Sequence, residues 1–200
     1  MNDYLIDLKV FRKSIYASQI IITALGLSSV WFFLIRKSII DWSFILTVES
    51  SISTLISSII VAVMAIVVQI CLYMLVPHDL LIDEINKLFY KLSYAELFII
   101  FVIGSFAEEI LFRGSVQTSL GYFFGNIPIA ILGSSLAFAV LHIRYLRKPV
   151  LLVTVIIFGG AFGWLFVFTG TLWAPVLAHF LSNYIMVCLG KKGLFVPKKE

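Results

Sequence analysis

The chain has 200 residues, of which 61% are hydrophobic and only 13% charged, with a formal net charge of +4 at pH 7. Soluble domains carry about 45–50% apolar and about 25% charged residues. A water-soluble globule and a disordered chain are therefore both excluded, and the sequence belongs in a lipid bilayer. The small positive balance comes with no basic cluster interleaved with aromatics, so it points to anionic lipid headgroups and not to nucleic acid.

Taken in chain order, six apolar stretches approach the roughly 17–25 residues that a helix needs to cross the hydrocarbon. They are 14–35, 52–76, 94–112, 127–141, 150–168 and 172–189. The first exceeds the roughly 7–15 apolar residues of a signal-peptide core and lacks a small-residue cleavage site, so it is expected to be retained. Because backbone groups in lipid must pair within their own segment, all six are expected to be helices. Between the second and third, Leu81, Ile85, Leu88 and Leu92 recur at helical spacing, while Asp83, Lys87 and Lys91 stand four apart on another face. Segment 77–92 is expected to be either a helix in the membrane interface or a connector docked on the bundle. Ser93 followed by Glu96 is a capping-box signal for the third span. Pro128, Pro149 and Pro175 sit near the starts of later spans, where a missing N–H costs nothing. The expected fold is an all-α membrane protein, a bundle of about six transmembrane helices with one interfacial helix, forming a single polytopic domain over 1–200. Cys71 and Cys188 lie in apolar runs with no metal-ligand spacing and read as small buried hydrophobes.

Alternate loops divide the Lys and Arg residues 12 against 3, the three being Arg36, Lys37 and Arg113. With six spans this puts both termini in the cytoplasm of a multi-pass cell-membrane protein.

Charged groups inside spans cost about 2.5–3.5 kcal/mol each on insertion scales, so those present need a reason. They fall in the second half: Glu108-Glu109, Arg113, His142 and His179. At about 100° per residue, Glu109 and Arg113 stand about 40° apart on one helix and are placed to pair. Glu108 lies about 140° from Arg113 and has no partner on its own helix. Either these groups mark a span end facing headgroups, or Glu108 holds a water, a metal or a histidine. His179 and Asn183, four apart on one stripe, are expected to face the bundle interior. His142 follows Phe138 by four residues. As chemistry, Glu108 would be the general base for a water oriented by His142. His179 and Asn183 would donate to the oxyanion of an attacked amide. Alternatively Glu108, His142 and His179 would hold a divalent metal such as zinc. There is no His-Glu-x-x-His helix, no aspartate in a span and no Gly-x-Ser-x-Gly elbow, while a bare serine nucleophile stays open. Counting about 1.5 Å per residue sets Glu108 about 22 Å along the third span and leaves His142 about 14 Å out of level with it.

The patterns Glu108-Glu109-x-x-x-Arg113, Phe138-x-x-x-His142 and His179-x-x-x-Asn183, in this order on successive helices, resemble the three motifs of the CAAX protease and bacteriocin-processing family. The likeness covers the segment 94–190, the expected catalytic core. It implies a membrane endopeptidase similar to the type II CAAX prenyl endopeptidases, acting on a peptide or protein presented at the bilayer. Within it, Glu108, His142, His179 and Asn183 would be catalytic, and Glu109, Arg113 and Phe138 supporting. It leaves open a metal-dependent or metal-free mechanism. It extends to bacteriocin maturation, self-immunity and signal-peptide processing, and the small single domain favours a bacterial member. Two rivals stand beside it. One is a non-catalytic peptide-binding or immunity protein whose polar cluster only fixes packing. The other, a small transporter, is weakened by the absence of intramembrane charge in the first two spans and of any internal repeat.

Overall fold

A computed structural model describes residues 7–48, 51–81 and 84–194. The elements, in order, are α1 (Leu8–Val30), extended by a π-helical stretch Trp31–Ile35, α2 (Ser43–Leu46), α3 (Ile52–Leu75), α4 (His78–Leu81) and α5 (Glu84–Phe89). They continue with α6 (Tyr94–Glu109), a π-helical stretch Ile110–Gln117, α7 (Thr118–Phe124), α8 (Ile127–Leu141), a 3-10 turn Ile143–Arg147, α9 (Pro149–Thr169) and α10 (Trp173–Lys191). No strand occurs among the described residues. Four helices, Leu8–Ile35, Ile52–Leu75, Pro149–Thr169 and Trp173–Lys191, are long and apolar enough to cross a membrane, and Ile127–Leu141 is a shorter apolar helix. The chain is an all-α membrane protein.

The third expected span differs from its forecast. It does not stop at residue 112 but continues as α6, the π stretch and α7 from Tyr94 to Phe124, where Gly125 turns the chain at a φ of 60°. Glycine takes that left-handed conformation without steric cost. Asn126 then caps α8 by accepting from the Ile129 N–H at 3.0 Å. The longer helix removes the depth mismatch: Glu108 lies 17 residues before Gly125 and His142 lies 17 after it, so the antiparallel pair brings them level. The polar run Arg113 to Ser119 reads as a boundary in sequence, yet its two longest side chains each donate to a carbonyl of a neighbouring helix. Arg113 donates to the Gly159 carbonyl (2.9 Å) and Gln117 to the Gly163 carbonyl (2.9 Å), the same offset of 46 residues, which sets the π stretch and α9 parallel and close. A Cβ on Gly163 would stand 2.6 Å from Gln117 Oε1, and one on Gly159 would stand 3.1 Å from the Ser135 backbone. Gly159-x-x-x-Gly163 therefore lets backbone approach backbone.

Segment 77–92 is helical over His78–Leu81 and Glu84–Phe89, the two residues between lying outside the described ones. Leu81 and Leu92 are buried, and Ile85, Leu88 and Phe89 pack on Phe11, Leu97 and Ile100, so the segment docks on α1 and α6. Asp83 lies outside the described residues, as do Lys198 and Lys199. At the same end, Arg12 pairs with Glu96 at 2.9 Å, Lys148 donates to the Asp79 carbonyl (3.0 Å), and Lys191 donates to those of Tyr90 (2.8 Å) and Leu92 (2.6 Å). The basic segments thus gather at one end of the bundle. Arg113 does not belong to the opposite end, where the loop count puts it; it is fully buried.

Candidate active site

The helix α6 begins with the forecast capping box: Ser93 Oγ accepts the Glu96 N–H, and Glu96 accepts the Ser93 N–H. Its last two residues are Glu108 and Glu109, and the rotation between them separates two environments. Glu109 is fully buried. Its carboxylate pairs with Arg113 Nε at 3.1 Å, accepts from Arg113 Nη1 at 3.2 Å and lies 2.8 Å from His179 Nδ1. Removing a buried ion from water costs several kcal/mol, which the opposite charge and the hydrogen bonds from Arg113 Nη1 and His179 Nδ1 counter. Arg113 is enclosed further by ring faces, its guanidinium 5.0 Å from the Phe138 centroid and 5.8 Å from that of Phe162.

Glu108 turns instead into a cavity of about 530 Å³. Phe138, His142, His179 and Asn183 share its wall, so the four expected polar residues from α6, the end of α8 and α10 converge on one space. Glu108 Oε2 stands 3.9 Å from His179 Nε2. The His179 ring is clamped: Phe162 stacks on one side with centroids 5.0 Å apart, and Phe138 meets it edge-on at 5.9 Å. Since a carboxylate only accepts, His179 Nδ1 donates to Glu109, and Nε2 donates only when the ring carries its second proton. The same logic applies to His142, whose Nδ1 donates to the Phe138 carbonyl at 3.0 Å, leaving Nε2 as the nitrogen for a ligand. Phe138 is thus in contact with Arg113, His142 and His179 together.

The metal expectation does not fit this arrangement. Among the described residues no group of three or more His, Cys, Asp or Glu side chains converges closely enough to hold an ion.

Several wall residues escape a motif reading. Tyr145 is buried and stacks on His142 at 5.7 Å. Gln19 from α1 is buried, donates to the Ile100 carbonyl at 2.7 Å and reaches the cavity wall beside Gly104. Tyr90, whose phenol is pushed above its usual range by burial, lines the end where the basic segments gather. The Gly159-x-x-x-Gly163 spacing was a visible signal for the α9 contact; nothing local in the sequence marks Gln19 or Tyr145.

Over 103 residues the chain is 35% identical to the uncharacterized protein YpbD of Bacillus subtilis (strain 168), covering 52% of this chain and 50% of that one. The chain therefore spans about half the length of the curated relative it matches. No solved structure matches it. A family model described as type II CAAX prenyl endopeptidase Rce1-like matches residues 90–185. The matched segment contains Glu108, His142, His179 and Asn183, so the residues that converge on the cavity lie within the stretch similar to the type II CAAX prenyl endopeptidase Rce1-like family.

Proposed function

We propose that the chain is an intramembrane endopeptidase that cleaves a peptide bond of a membrane-presented substrate with water activated by Glu108. The observation that supports this reading is the convergence of Glu108, His142, His179 and Asn183 on one cavity inside a chain otherwise almost free of intramembrane charge. Its volume of about 530 Å³ lies within the range of small-molecule sites.

In this reading Glu108 takes a proton from a water that His142 Nε2 holds, and the water oxygen attacks the scissile carbonyl carbon. The carbonyl oxygen becomes an oxyanion that accepts from the Asn183 amide and from His179 Nε2–H in the doubly protonated ring. As the tetrahedral intermediate collapses, the C–N bond breaks and Glu108 returns its proton to the leaving amine, giving one carboxylate and one amine product. Glu109 and Arg113 touch no reacting atom. They are positioning residues that hold the His179 ring. The apolar part of the wall, including Leu72, Phe101, Leu151, Val155 and Met186, suits an isoprenoid or an apolar side chain, in keeping with a prenylated substrate of the CAAX kind. The gathering of basic segments where Tyr90 and Tyr145 line the cavity is consistent with entry from the cytoplasmic side and with cytoplasmic termini.

The test is incubation of the purified chain in lipid vesicles with a farnesylated peptide, followed by mass analysis of the products. Cleavage on the C-terminal side of the modified cysteine is expected. Recovery of intact peptide under conditions where the chain remains folded would reject the assignment.

A further inference from the structure

The helix α3 lies outside the segment that the family model matches, yet it supplies part of the cavity wall. Ser58, Ala62, Ala65, Gln69 and Leu72 recur three and four apart and so share one stripe of it. The first three are buried, and Ala62 packs in one cluster with Ala174 and Ala178 of α10. Past Ala65 the same stripe borders the cavity through Gln69 and Leu72. The glutamine of this apolar span therefore faces the cavity and not the lipid.

A polar side chain in a membrane helix ordinarily bonds across to a neighbouring helix. Gln69 does not: its Nε2 donates to the Ala65 carbonyl at 3.3 Å, and among the described residues no other helix engages it. That carbonyl sits four residues back and already takes the backbone N–H of the helix. One N–H of the carboxamide and its Oε1 are left for a ligand. Gln19, another carboxamide of the wall, is buried and donates to the Ile100 carbonyl at 2.7 Å.

Depth places Gln69 beside the reaction. α3 and α10 both end where Lys148 and Lys191 hold segment 77–92, so they run the same way. At about 1.5 Å per residue Gln69 stands about 10 Å past Ala62, and Asn183 about 8 to 14 Å past Ala178 and Ala174. The two carboxamides are thus level. An extended peptide with its scissile carbonyl at Asn183, advancing about 3.3–3.6 Å per residue, passes Gln69 within one or two residues of the cut. Its other N–H and C=O groups need partners away from water. Among the described residues there is no strand whose edge could pair with them.

We infer that Gln69 is a substrate-positioning residue whose carboxamide pairs with one main-chain peptide unit next to the scissile bond. This rests on the reading that a peptide occupies the cavity, and its test does not depend on turnover. The Glu108→Gln chain in vesicles is titrated with a fluorescent farnesylated peptide. It is then titrated with variants in which one N–H at a time within two residues of the cut, the scissile amide excepted, is replaced by an ester oxygen. One ester is expected to bind about fivefold to tenfold more weakly than the parent, the scale of one hydrogen bond. In Glu108→Gln/Gln69→Met that ester and the parent should bind alike, while the thermal transition of Gln69→Met stays at the wild-type value or above. Ester penalties that are the same with and without Gln69 overturn the inference, as does a lowered transition with those penalties unchanged, which assigns Gln69 to helix packing. A Gln69→Met effect that is equal for all peptides and varies with lipid composition assigns the carboxamide to lipid and overturns it too. If the parent peptide does not bind at all, the reading of the cavity as a peptide site falls and takes this inference with it.

Discussion

His179 Nδ1 lies 2.8 Å from Glu109 Oε1 while its Nε2 lies 3.9 Å from Glu108 Oε2, so one imidazole stands between the two adjacent glutamates of α6. One carboxylate is dry and paired with Arg113; the other faces the cavity. The tandem glutamates therefore divide into a buried ion-paired carboxylate and one that faces the cavity, with the ring of His179 between them.

The division predicts separable effects. Glu109→Leu leaves Arg113 buried without its carboxylate and should cost about 3–5 kcal/mol, seen as a lower thermal transition in detergent and less chain in the membrane. Adding Arg113→Met should recover most of that loss, since an apolar pair of similar volume replaces the ions. Cleavage should stay low in the double variant, because His179 has lost the acceptor that orients it. Recovery of both stability and cleavage would show that Glu109 does not position the ring.

A second expectation concerns the glycines. A Cβ on Gly26 would stand 2.8 Å from Ile110 Cγ2 and 3.0 Å from the Leu111 backbone nitrogen, so Gly26→Ala pushes α1 off the π stretch. The expected loss is about 1–3 kcal/mol. Gly160→Ala places its Cβ in ordinary contact, 3.9 Å from Ser135 Oγ, and should raise helix stability by about 0.5–1 kcal/mol. Thermal unfolding of the two variants side by side checks the contrast; equal shifts would contradict the close packing of α1 on the site.

A third concerns the oxyanion. Asn183→Ala removes a donor from the cavity wall without touching the Glu109–Arg113 pair. It should lower kcat about 10²–10³-fold, with little change in KM, in the vesicle cleavage assay. A rise in KM alone would make Asn183 a substrate-binding group and leave the oxyanion to other donors.

What was legible in the sequence follows from what is local. The Ser93–Glu96 cap and the Glu109–Arg113 pair depend on one helix turn, and both are present as read. The end of α8 at Leu141 was legible because apolar composition stops there. The end of the third helix was not, because Gln117 is a polar residue whose amide nitrogen donates to a carbonyl of α9, 46 residues away. In segment 77–92 the leucine spacing reports the face that docks on the bundle. For the site, the three motifs named the right residues to share a cavity. The placement of His179 between the two glutamates was out of reach, since it depends on the register of α10 against α6 and on the clamp by Phe162.

The most direct measurement is cleavage of the farnesylated peptide by Glu108→Gln, with the amount of folded chain in the vesicles matched to wild type. The change keeps shape and removes the carboxylate that faces the cavity, and the account predicts a fall in rate of about 10²–10⁴-fold. A Glu108→Gln chain that cleaves at the wild-type rate would contradict water activation by Glu108 and leave the polar cluster as a device for packing helices.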